Sequence, residues 1–75
     1  MKRYKNLAGD SGVVAYDIGE DSIDVEFVNG SVYRYDYEKT GLSEVEHMKK
    51  LAAAGRGLST YISTDIKGRF ASQLK

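Results

Sequence analysis

A strict alternation of apolar and acidic residues, Ile23-Asp24-Val25-Glu26-Phe27, runs almost directly into Asn29-Gly30 and limits what this 75-residue chain can become more than any other feature. Alternating side chains lie on opposite faces of a strand, and Asn-Gly is the strongest short hairpin signal because both residues tolerate positive φ. Residues 31–37, Ser-Val-Tyr-Arg-Tyr-Asp-Tyr, are then the returning strand. Upstream, Val13–Ile18 is apolar and rich in β-branched side chains, and Gly19-Glu20-Asp21-Ser22 supplies turn chemistry before the alternation begins. The economical arrangement is a three-stranded antiparallel β-meander.

Two hairpin registers fit this sequence and send the tyrosines to opposite faces. A two-residue Asn29-Gly30 loop pairs Phe27 with Val32 and leaves Tyr33, Tyr35 and Tyr37 in solvent. A three-residue loop, with Val28-Asn29 in a type I turn and Gly30 in the left-handed bulge position, pairs Val25 with Tyr33 and Ile23 with Tyr35. The second is favoured, because the first places Arg34 and Asp36 on the apolar side, where unpaired charge is expensive.

The C-terminal half changes period. Leu42, Val45, Met48, Leu51 and Ala52 recur at helical spacing, and Ser43 followed three residues later by Glu46 reads as a capping box for a helix over 44–54. Gly55-Arg56-Gly57 ends it, one glycine being suited to the left-handed position after the last turn. Leu58, Tyr61, Ile62, Ile66 and Phe70 share one face of a second helix, opened by Leu58 or Ser59 and weakened in its last turn by Gly68. The expected fold is α+β: three strands covered on one face by two short helices, with residues 10–75 as a single domain and residues 1–9 a disordered basic N-terminus.

Composition narrows the possibilities without naming an activity. A chain of 8.3 kDa buries only about 60% of the surface its unfolded form exposes, so its core must be thin. There is no cysteine, hence neither a disulfide framework nor a thiolate zinc site, and self-association is one remaining way to gain stability. No apolar run approaches the roughly 20 residues a membrane span requires. Met1 is followed by Lys2-Arg3-Tyr4-Lys5 without an apolar segment, which predicts no secretory signal and a cytoplasmic protein. The net charge is zero yet segregated: residues 1–9 carry +3, residues 10–46 carry −8 and residues 47–75 carry +5. Such asymmetry can orient a polyanion toward the C-terminal half, or it can simply draw the halves, or neighbouring molecules, together.

An ordered series of residues resembles the KTSC domain, a family named for its occurrence at the C-terminus of some lysyl-tRNA synthetases and also found as small free-standing bacterial proteins. The series is Ser11, Tyr16-Asp17, Ile23-x-Val25-x-Phe27-x-x-Gly30, Tyr33-x-Tyr35, Gly57 and Tyr61-Ile62-Ser63-x-x-Ile66-Lys67-x-x-Phe70. The resemblance implies a domain without catalytic residues, for which RNA binding has been suggested.

Three groups of residues carry candidate chemistry. Tyr33, Tyr35 and Tyr37 offer planes on which bases can stack, worth about 1 to 3 kcal/mol per base if exposed, and Arg34, Lys49, Lys50, Arg56, Lys67 and Arg69 offer phosphate contacts. The plain alternative is that the tyrosines are core residues with wet hydroxyls. Gly55, Arg56, Gly57, Ser59 and Thr60 form a candidate anion-binding loop just before a helix, where amides, an arginine fork and the helix dipole favour negative charge. It lacks the Gly-Lys-Ser/Thr ending of a P-loop, and a helix stop followed by a Ser59 cap is the favoured explanation. Glu20, Asp21, Asp24 and Glu26 do not follow a calcium-loop order and read as a solvated strand face, so no metal or cofactor is expected. His47, the lone histidine, has no nucleophile motif to serve. The expected function is a non-enzymatic binding module for RNA or another nucleic acid, the alternative being a protein-interaction or self-associating module.

Overall fold

The computed structural model describes residues 1–9 and 11–75. The elements follow in the order β1 (Lys2–Arg3), β2 (Val13–Ile18), β3 (Ser22–Phe27), β4 (Val32–Asp36), α1 (Leu42–Ala54), α2 (Leu58–Tyr61), a π-helical stretch Ile62–Ile66, and β5 (Ser72–Gln73). The class is α+β, but the sheet has five strands, not three, in the order β1-β2-β3-β4-β5 and antiparallel throughout. The two additional strands are edge strands of two residues each, too short to show any periodicity in sequence.

The hairpin adopts the bulged register. Val25 faces Tyr33 and Ile23 faces Tyr35, while the Gly30 N–H donates to Phe27 O and the Phe27 N–H to Ser31 O. Gly30 takes φ 91°, open to glycine at little cost. Tyr16 lies opposite Val25 on β2, and a bulge at Val14 restores Val13 to the same inner face opposite Phe27. The inner face is thus Val13, Tyr16, Ile23, Val25 and Tyr35, closed by Val45, Met48 and Ala52 of α1 and by Leu58, Ile62 and Ile66. On the opposite face Asp24 lies between Asp17 and Arg34, and Glu26 lies beside Ala15.

α1 starts earlier than the spacing predicts, at Leu42, and without the capping box: Gly41 precedes the first turn with no side-chain bond, and Glu46 turns instead to Tyr37 and Lys49. Its end is as expected, Gly55 standing in the left-handed conformation at φ 79°. The second helix is shorter than its apolar pattern suggests. It runs one α-turn, widens into the π-helix and stops in a turn at Lys67-Gly68, so Phe70 reaches the sheet from an extended segment. Phe70 packs 4.6 Å from the Tyr33 ring, and beyond it Ser72–Gln73 pairs with β4. Nor does Ser59 cap this helix; Gly57 precedes it and Ser59 lies inside.

The N-terminus is ordered, contrary to the expectation of a frayed tail. Lys2 and Arg3 pair with Tyr16 and Ala15, the Tyr4 N–H donates to Val14 O, and the Leu7 N–H donates to Gly55 O. Tyr4 is only 3% exposed and belongs to the core. Its hydroxyl oxygen accepts the Leu58 N–H at 3.2 Å, joining residues 54 apart in sequence. No helix among the described residues is long and apolar enough to cross a membrane.

Candidate anion-binding cleft

The structure disperses most of the residues proposed to hold nucleic acid. Tyr35 is 2% exposed, and burial pushes its hydroxyl pKa up to about 12. Tyr33 is half-buried, packed against Phe27 edge-on and against Phe70 at a tilt. Tyr37 is half-buried too, and its hydroxyl donates to Glu46. These rings are therefore packing residues, and the stacking role expected of Tyr33 and Tyr35 is withdrawn.

The cations divide likewise. Arg34 lies on the far face of the sheet, held by Asp24 in a two-pronged contact of 2.8 and 3.0 Å that raises its pKa further. Lys49 sits 2.8 Å from Glu46, donates to Glu20 O and lies over the Tyr37 ring; the bond to Lys49, and after it that from Tyr37, lowers the Glu46 pKa. Arg69 donates to the carbonyls of Thr40 and Asp65. The side chains of Lys50, Arg56 and Lys67 are exposed and make no hydrogen bond or ion pair among the described residues. Of these, Arg56 alone borders a cleft.

That cleft has a volume of about 150 Å³ and lies between the N-terminal segment and the junction of α1 with α2, lined by Tyr4, Asn6, Ala8, Ser11, Arg56, Gly57, Ser59 and Thr60. One wall therefore contains four of the five residues of the loop singled out in sequence; Gly55, the fifth, binds the N-terminal segment from behind through its carbonyl. The other wall was invisible to sequence reasoning, which treated residues 1–9 as a tail. Its single signal was Tyr4, an aromatic residue inside a basic run.

Local geometry explains how this wall is built. Asn6 adopts φ 55°, tolerable for asparagine, and folds the chain so that its carbonyl accepts the Gly9 N–H and its Oδ1 the Ser11 N–H. The Ser11 Oγ in turn accepts the Val13 N–H. One acceptor position on each of Asn6 and Ser11 is thus spent inside the protein, while their protons are left over. Tyr4 Oη, Ser11 Oγ and the Asn6 amide nitrogen each retain a proton that finds no acceptor among the described residues, as do the side chains of Arg56, Ser59 and Thr60. No carboxylate stands among the described lining residues. A cleft of unspent donors with one guanidinium suits an anion.

A second, shallower groove of about 330 Å³ shares Tyr4 and Asn6 with the first and is lined further by Arg3, Lys5, Val13 and Val14. The first turn after the cleft contributes little through its dipole, since α2 is a single α-turn. Side chains make this site.

Among the described residues, no group of three or more histidine, cysteine, aspartate or glutamate side chains converges as a metal site would require. Fold and site together define a small α+β domain with a donor-lined cleft. Compared with known proteins, the chain matches no family model, no curated protein and no solved structure.

Proposed function

We propose that this protein is a non-enzymatic binding module that holds a phosphate group of a nucleic acid, RNA foremost, in the cleft between its N-terminal segment and the α1–α2 junction. The observation that carries this reading is the lining of the cleft: six side chains with protons to give, of which the Arg56 guanidinium is the one formal charge among the described lining residues. The adjoining groove extends the positive character through Arg3 and Lys5, as a polyanion would need. The KTSC-like series of residues, with the RNA binding it implies, is in accord. The reading differs from base stacking on the sheet, because the tyrosines of β4 are packed inward.

The test is an amide-shift titration with a short single-stranded RNA at low and raised salt. The expected result is a shift set centred on residues 4–11 and 55–60, an affinity that falls steeply with salt, and a loss of about tenfold in Arg56→Gln, the worth of one charge-assisted contact. Shifts confined to the β4 tyrosines, or an affinity indifferent to Arg56, would refute the assignment.

A further inference from the structure

The cleft takes its donors from two separate segments of the chain, and this arrangement bears on which phosphate it takes. Tyr4 lines it while almost wholly buried, its hydroxyl oxygen accepting the Leu58 N–H and its proton finding no acceptor among the described residues. Asn6 and Ser11 stand on one wall, Arg56, Ser59 and Thr60 on the other. A volume of about 150 Å³ is ample for a phosphoryl group. An internal phosphodiester has two unesterified oxygens and one charge, and its chain must both enter and leave. A terminal phosphate has three such oxygens, a charge near −2 and a chain on one side only.

Resting on the nucleic-acid reading above, we infer that the cleft recognises the terminal phosphate monoester of an oligonucleotide, with the chain running out past Tyr4 and Asn6 into the groove of Arg3 and Lys5. Donor side chains from two segments of the chain suit the three unesterified oxygens and the higher charge of a monoester better than the two oxygens and single charge of a diester. The neighbouring groove, at about 330 Å³ and with two cations, accommodates the next nucleotide and its diester phosphate. A phosphorylated peptide offers the same terminal group but no second phosphate for Arg3 and Lys5.

The experiment measures binding of one short RNA sequence in three forms, with a 5′-phosphate, with a 3′-phosphate and with hydroxyls at both ends, beside a phosphoserine peptide and inorganic phosphate. A phosphorylated end should tighten binding about tenfold or more over the hydroxyl-ended strand, the difference expected when charge-assisted hydrogen bonds are gained. Arg56→Gln should abolish most of that difference, and Tyr4→Phe, which keeps the buried ring, should reduce it. Lys5→Gln should weaken all three RNA forms alike. Inorganic phosphate should compete with the phosphorylated strand and not with the hydroxyl-ended one. Equal affinity for all three forms, still dependent on Arg56, would overturn the terminal-phosphate inference while leaving nucleic-acid binding standing. A phosphoserine peptide binding as tightly as the phosphorylated RNA would overturn the choice of nucleic acid. Absence of binding by any RNA would remove both.

Discussion

Lys67 occupies a backbone conformation that a lysine seldom tolerates. At φ 54° and ψ −124°, with the Arg69 N–H bonded to Ile66 O, it is the second residue of a type II′ turn, a position that favours glycine; Gly68 comes one place too late. Strain of this kind costs about 1–3 kcal/mol, and a glycine added there returns about 0.4–1 kcal/mol as extra unfolded-state entropy. Lys67→Gly is therefore expected to raise stability by about 1 kcal/mol, read as a higher urea midpoint, with RNA affinity unchanged because Lys67 lies outside the cleft. Tyr35 works in the opposite sense. Truncation to alanine should cost about 3 kcal/mol or more, as for other buried aromatics. Its hydroxyl keeps its proton up to about pH 12 in the folded protein, against about 10 when unfolded. The folded state therefore binds more protons between those values, so the stability linked to this group is complete below pH 10 and is lost as pH rises toward 12, about 2–3 kcal/mol in all. Urea midpoints measured from pH 9 to 12 should fall, and Tyr35→Phe should flatten that fall.

At the scale of elements, β3 and β4 were legible, including the bulged register, because burying Arg34 and Asp36 was the dearer choice, whereas strict alternation in β2 puts Val13 and Tyr16 on opposite faces and the bulge at Val14 brings them to one. The edge strands were not, since a pair of residues carries no period. α1 was recognised by its apolar face, yet its start was displaced: Glu46, the expected capping partner, finds better company in Tyr37 and Lys49. The second helix was overextended for a related reason. Phe70 continues the helical spacing, but the same ring fits against Tyr33 and Tyr35, and the chain leaves the helix to reach them. The site was half legible: Arg56, Gly57, Ser59 and Thr60 were found by their loop chemistry, while Tyr4, Asn6 and Ser11 joined it through pairings that no local pattern announces. Two glycines separate these effects. Gly30→Ala meets nothing within 4 Å and should cost only the left-handed penalty, about 1–2 kcal/mol. Gly55→Ala adds a Cβ 2.6 Å from that of Lys5, so it should cost more than Gly30→Ala and also loosen the N-terminal segment, visible as faster amide exchange at Tyr4 and Leu7.

Over the whole molecule, acidic and basic side chains meet at the sheet margin. The outer sheet face carries Asp17, Asp24 and Glu26, with Asp17 set directly across from Asp24, and Arg3, paired with Ala15 beside Glu26, stands at the edge of that same face, whereas Arg56 lines the cleft at the α1–α2 junction. The first residues hold this arrangement together. Tyr4→Ala should cost about 3 kcal/mol or more, a large share of what a domain of this size possesses, and Tyr4→Phe only about 1 kcal/mol through the lost bond to Leu58. Thermal melts of the two variants provide the comparison.

Tyr4 is at once a plug for the interior and part of the receptacle's lining, so guest occupancy and attachment of the leading segment are bound by mass action. Whatever settles beside that hydroxyl must retard peeling of Lys2 and Arg3 from the neighbouring strand, and the peeled form has no receptacle to offer. A bulky fusion ahead of Met1 that pries this margin open would abolish capture of the guest without touching one residue of the α1–α2 junction.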